Sequence, residues 1–142
     1  MICKYHLTFV VFFMFISGAA SSGEFSYTCE VKHLYNLNQN GLLETFPDSE
    51  LEKIMKKSSF SVSRETGALI GNSATLDTSL AKSTRVIISG SKENSFRAIA
   101  DFGDFKSGNH PYQFIEIEEF NKEVKKPFVL MGELGIITDI CQ

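Results

Sequence analysis

Apolar and polar residues alternate with period two along much of this chain, the signature of strands with one buried face. The pattern is clearest over Thr84–Phe102. Val86-Ile87-Ile88 is a β-branched run suited to a pleated sheet. Gly90-Ser91-Lys92-Glu93-Asn94 supplies turn formers, and Phe96, Ala98, Ala100 and Phe102 then alternate with Ser95, Arg97, Ile99 and Asp101. Two strands folded into a hairpin are expected here.

The same reading predicts a long strand over Glu24–Tyr35. It places Phe25, Tyr27, Cys29, Val31, His33 and Tyr35 on one face, with turn chemistry following at Asn36–Gly41. Pro47-Asp48-Ser49 opens a helical pattern in which Leu51, Ile54, Met55 and Ser58 share a face, so one short helix is expected near 48–57. A second hairpin is expected over Ser59–Gly71, turning at Glu65-Thr66-Gly67, with Phe60 and Val62 inward. Asn72–Ser83 reads as a polar loop with a short strand at Thr75–Leu76, and Gly103–Pro111 as a second long loop. In Tyr112–Phe120 the apolar face changes, with Tyr112 and Phe114 on one side and Ile115 and Ile117 on the other. That predicts either two partly covered faces or a bulge near Phe114. Pro127–Gly132 and Gly135–Cys141 complete the strands.

Short connections between consecutive strands imply a mainly β fold, an antiparallel meander of about eight strands closing into a small barrel, with a two-sheet β-sandwich as the alternative.

The start of the chain changes where such a fold is placed. Lys4 is followed by the apolar run Leu7–Ile16 and the small residues Ser17-Gly18-Ala19-Ala20, the order of a secretory signal peptide. The run is too short for a membrane span, which needs about 20 residues. The expected organisation is a signal peptide at 1–20, cleaved between 19 and 23, and one β-rich domain at 21–142 that is secreted or periplasmic, with no membrane span in the mature chain.

Cys29 and Cys141 are then the only cysteines left. An even pair in an exported chain points to a disulfide between them, the alternative being two separate buried thiols.

Lys4 is also the only charged residue of the leader, leaving 13 basic against 17 acidic side chains, a net of −4. An acidic chain without a basic block argues against nucleic acid and anionic membranes as partners.

Candidate chemistry is sparse. His33 and His110 are the mature histidines, in different elements and without HxH, HxxxH or HExxH spacing. Glu116, Glu118 and Glu119 read as a solvated acidic face sooner than an acid–base pair. Arg64 at a hairpin end is either an anion hook or half of a cross-strand charge pair. GxSxG, Walker and dinucleotide fingerprints are absent. No cofactor, metal or enzymatic activity is expected.

The mature chain is rich in phenylalanine and has no tryptophan. The expected function is therefore an exported non-catalytic binding protein, with an unidentified apolar small molecule inside the barrel against Phe60, Val62, Phe96, Ala98 and Phe114. A core simply filled by phenylalanine fits the same pattern. The alternative function is a secreted protein–protein interaction module, such as an inhibitor or an envelope or adhesion factor, using the 72–83 or 103–111 loop.

Overall fold

The computed structural model describes residues 25–46, 49–103 and 112–142. The expected leader, Pro47-Asp48 and His110 with its loop lie outside the described residues. In chain order the elements are β1 (Ser26–Leu37), β2 (Leu43–Thr45), α1 (Glu50–Met55), β3 (Ser59–Ser63), β4 (Leu69–Gly71), a 3-10 turn (Ala74–Leu76), β5 (Ser83–Ile88), β6 (Phe96–Asp101), β7 (Tyr112–Ile117), β8 (Lys126–Gly132) and β9 (Gly135–Cys141).

All pairings are antiparallel. The strands form one sheet in the order β4-β3-β1-β9-β8-β7-β6-β5, with β2 attached to β1. The sheet curls through 258° into a half-barrel. The mainly β, barrel-like antiparallel architecture expected from the pattern is thus the observed one. β5 to β9 form an unbroken meander, and β9 then pairs with β1. The first and last strands are neighbours, but they sit in the middle of the sheet. Its edges are β4 and β5.

The concave side is the core. Ala98, Ile115, Leu130, Ile137 and Leu34 stand opposite one another across five strands, each at most 2% exposed. Tyr27, Cys29, Val31, Phe60, Val62, Phe96 and Phe128 extend the same cluster. Burial of each of the larger side chains in this row, Ile115, Leu130, Ile137 and Leu34, stabilises the curled sheet by about 2 kcal/mol.

Three local expectations differ from what is observed, and in β7 the alternative of two partly covered faces holds instead of a bulge. In β1 the alternation breaks after Val31. A bulge sets Val31 against Asp139 and His33 against Thr138, so Lys32 is the extra residue. Leu34 takes the inward position and His33 turns out to solvent. The bulge also leaves Lys32 beside Asp139, with Nζ 2.8 Å from Oδ2. The helix is shorter than expected, with Ser49 as N-cap accepting from the Glu52 amide. Its buried face is Glu52 and Met55, whereas Leu51 and Ile54 are exposed. Glu52 is tolerated there because Lys56 Nζ lies 2.6 Å from it. Thr75–Leu76 belongs to the 3-10 turn, which drives Leu76 fully into the core. β7 keeps a regular register with both neighbours, without a bulge, so Phe114 faces outward.

Part of the Asn72–Ser83 segment folds back on the sheet, while Leu80 stays 86% exposed. Thr78 lies against the free side of β4: its amide donates to the Leu69 carbonyl at 3.0 Å, and its Oγ1 accepts from the Leu69 amide at 2.9 Å. The connector thereby acts as a partial ladder for the β4 edge.

Candidate functional site

Cys29 and Cys141 are bonded, directly opposite in the β1–β9 ladder with Cα atoms 4.0 Å apart. Thr28 and Gln142 next to them exchange both backbone hydrogen bonds. The cysteines therefore occupy a non-hydrogen-bonded pair, where the strands approach most closely.

Phe60, Val62, Phe96 and Ala98 do come together, as core. Each is at most 2% exposed, and they pack among aromatic neighbours, with Phe60 edge-on to Phe128 at 5.4 Å. Neither cleft described below is lined by any of them. Phe114 stands apart on the convex face, between Ile99 and Met131.

The charged candidates are engaged in pairs. Glu116 faces Arg97 across β6–β7 at 2.9 Å. Its carboxyl is held below the usual range by the Arg97 hydrogen bond, an effect opposed by burial. Arg64 Nη1 lies 3.3 Å from Glu119 Oε1, and its guanidinium stacks over the Tyr27 ring at 5.0 Å. The Tyr27 hydroxyl donates to Glu119 Oε2. Burial first, and then the Glu119 carboxylate, pushes the Tyr27 phenol well above its ordinary range. Arg64 is thus neither a displayed anion hook nor a partner within its own hairpin. It ties β3 to the segment after β7. His33 is exposed and stacks on Tyr35 at 6.2 Å. Among the described residues no three His, Cys, Asp or Glu side chains group as metal ligands.

One opening lies between the β4 edge and the ends of β6 and β7. It is a cleft of about 500 Å³, within the size range of small-molecule sites. Gly71 and the segment from Asn72 to Leu80 form one wall. Phe102, Tyr112 and Gln113 form the other, and Glu133 from the β8–β9 turn stands at its end. Gly71 permits this geometry, because a Cβ there would meet the Leu76 carbonyl oxygen at 2.6 Å. A smaller opening of about 320 Å³, bounded by Arg85, Ile99 and Asp101, lies on the other side of Tyr112.

Gln113 links the cleft walls, its Nε2 donating to the Thr75 carbonyl at 2.6 Å. Its Oε1 is buried and has no hydrogen-bond partner among the described residues. An unpaired acceptor in a buried site costs about 1–3 kcal/mol, which the Nε2 bond to Thr75 offsets in part. Asp77 accepts from the Ser79 amide at 2.7 Å, and the Ser79 side chain first, then that amide, hold its carboxyl below the usual range.

Sequence reasoning missed these residues. Its signal was present at Gln113, a polar residue on the inward period of β7 shared with Ile115 and Ile117. Across three comparisons, no protein-family model, no curated protein and no solved structure matches this chain.

Proposed function

We propose that the protein is an exported, non-catalytic binding protein that takes a small molecule in the cleft beside β4, not in the barrel interior. The observation that carries this reading is the 500 Å³ opening itself, within the size range of small-molecule sites and walled by the 71–80 segment on one side and by Phe102, Tyr112 and Gln113 on the other. The interior is a poorer host, since Phe60, Val62, Phe96 and Ala98 are packed among their neighbours. A non-catalytic role is favoured because Glu116 and Glu119 are committed to arginine and tyrosine partners. Export is supported by the Cys29–Cys141 bond, which an oxidising compartment maintains.

Native mass spectrometry of protein purified from its exported fraction tests the reading. The expected spectrum shows a small molecule that leaves on denaturation and is missing from Ala74→Trp, an exposed cleft position where a large ring fills the space. Bare polypeptide from the unsubstituted protein would count against it.

One observation favours the second reading, a secreted interaction module. The β1–β2 hairpin presents Leu37, Leu42 and Leu43 at 68%, 63% and 55% exposure, an apolar tip that solvent does not favour. Leu43→Lys abolishing capture of a second chain would support that role.

A further inference from the structure

We infer that the protein docks on a zwitterionic lipid surface through the end of the half-barrel that carries the β1–β2 arm and the cleft mouth. This goes beyond the cleft reading, which names a small ligand and no surface. It assigns the arm to lipid instead of a second protein.

The register gathers this end from separate parts of the chain. Tyr35 pairs with Ile136, Gly132 with Gly135 and Asp101 with Tyr112. The last residues of β1, β6 and β8 therefore lie beside the first of β7 and β9. A Cβ at Gly135 would run into the Tyr35 carbonyl oxygen, so the β8–β9 turn is pressed against the base of the arm. Leu37, Leu42 and Leu43 on the arm, and Leu80 and Tyr112 at the cleft mouth, are exposed side chains of this one end.

The arm itself decides what covers it. Leu37 and Leu43 are paired directly across it and share a face, and Leu42, one residue earlier, falls on the opposite face. A two-stranded ribbon with exposed leucine on both faces has no single side to lay in a protein groove, whereas a lipid layer surrounds it. From Leu34 to Leu43 the chain carries no charged side chain. The turn also closes its own backbone. The amides of Asn38 and Gly41 donate to the Leu42 and Asn38 carbonyls at 2.9 and 3.0 Å, and those of Asn40 and Leu42 donate to Asn38 Oδ1, both at 2.9 Å. Unpaired backbone is the main cost of placing a turn among lipid, and here most of it is met in advance. The neutral amides of Gln39 and Asn40 find partners among phosphate and ester oxygens, which keeps the arm in the interfacial layer. Tyr112, an apolar ring with a polar end, suits the same depth.

A second copy of the chain is a poorer occupant. β2 pairs only with β1, and a symmetric pairing of its free edge with its own copy sets Glu44 against Glu44. Glu44 at the base of the arm, and the excess of acidic over basic side chains, select zwitterionic over anionic lipid.

The test uses the oxidised full-length mature protein carrying Leu42→Trp, since the sequence has no tryptophan of its own. Ile87→Trp, exposed towards the opposite end of the sheet, is the control. On titration with phosphatidylcholine vesicles the Leu42→Trp emission should shift to the blue, saturate and be quenched by brominated acyl chains, while that of Ile87→Trp stays unchanged. The unsubstituted protein should float with the same vesicles. Leu37→Asp with Leu43→Asp, at exposed positions, should weaken that partitioning at least fivefold with an unchanged circular-dichroism spectrum. Replacing part of the phosphatidylcholine by phosphatidylserine at low salt should weaken it at least twofold. No blue shift on phosphatidylcholine, equal shifts in both tryptophan variants, or tighter binding with phosphatidylserine overturns the assignment. So does a complex of defined mass with a second protein chain that the two aspartate substitutions abolish. The cleft reading is separable from each of these results, because it stands or falls on the small mass that Ala74→Trp removes from native spectra.

Discussion

Gly67 occupies a position that only glycine fits on two counts. Its φ is +73°, and a Cβ would meet Ala98 Cβ at 2.7 Å and the Arg85 backbone at 3.2 Å. The turn of the β3–β4 hairpin is therefore pressed against β5 and β6, across the open side of the half-barrel. Gly41 in the β1–β2 turn has a similar φ of +76° but open space around it. Gly41→Ala should cost about 1–2 kcal/mol, the left-handed penalty alone. Gly67→Ala should cost that plus about 1–3 kcal/mol of overpacking. Urea titration of both variants separates the two terms, and equal losses would show that the Gly67 contact is slack. Tyr27 gives a pH-dependent counterpart. Its phenol is harder to ionise when folded than when unfolded, chiefly because it is buried and because Glu119 lies beside it. The folded state thus keeps a proton that the unfolded state releases above about pH 10, so the contribution is full below that pH and declines above it. Tyr27→Phe should lower stability near neutrality by about 1–2 kcal/mol through the lost hydrogen bond. It should also flatten the decline between pH 9 and 11; parallel alkaline profiles for the two proteins would contradict this.

At the scale of elements, the bond between β1 and β9 carries the largest single expectation. It joins residues 112 apart in sequence. Closing a loop of that length restricts the unfolded chain by about 4–5 kcal/mol in the chain-entropy account. The ladder around it is already formed by backbone hydrogen bonds, so reduction should leave the fold and shift only the urea midpoint. Unchanged midpoints with and without reductant would remove this account. The pairing was legible because Cys29 sat on the inward period of a strongly alternating strand and Cys141 was the only other cysteine outside the expected leader. β3 and β6 were legible for the same reason, since each alternates cleanly and buries the face that the pattern assigned. The second half of β1 was not. A bulge at Lys32 depends on its neighbour β9, and no local property of the sequence marks it. The helix failed differently: Leu51 and Ile54 are apolar and keep helical spacing, yet tertiary packing selected Glu52 and Met55 for the core. The cleft was hidden because its walls come from the polar connector, which local composition marks only as loop.

The open side of the half-barrel is the feature that the whole molecule must manage, because an uncovered edge invites pairing with other chains. Three devices act on it. The connector after β4 returns along that strand, with Thr78 bonding to Leu69. Gln113 fastens the 3-10 turn to β7, and Arg64 fastens β3 to Glu119. On the far side, β5 carries a bulge between Val86 and Ile88 that breaks its regular register. Side chains and a folded-back loop thus stand where a closed barrel would have a ladder. Hydrogen exchange should record that asymmetry. Amides of β1, β7, β8 and β9, each flanked by two strands, should exchange most slowly, and those of β5 that face away from β6 fastest among the strands. Thr78→Val keeps the side-chain shape but leaves the buried Leu69 amide without its Oγ1 acceptor. That substitution should cost about 1–3 kcal/mol and speed exchange at Leu69 and through the 3-10 turn while β9 keeps its protection. If β5 proves as protected as β9, or Thr78→Val leaves Leu69 unaffected, then the gap is covered by something other than these contacts. The cleft, whose walls they hold apart, would then have a different shape in solution.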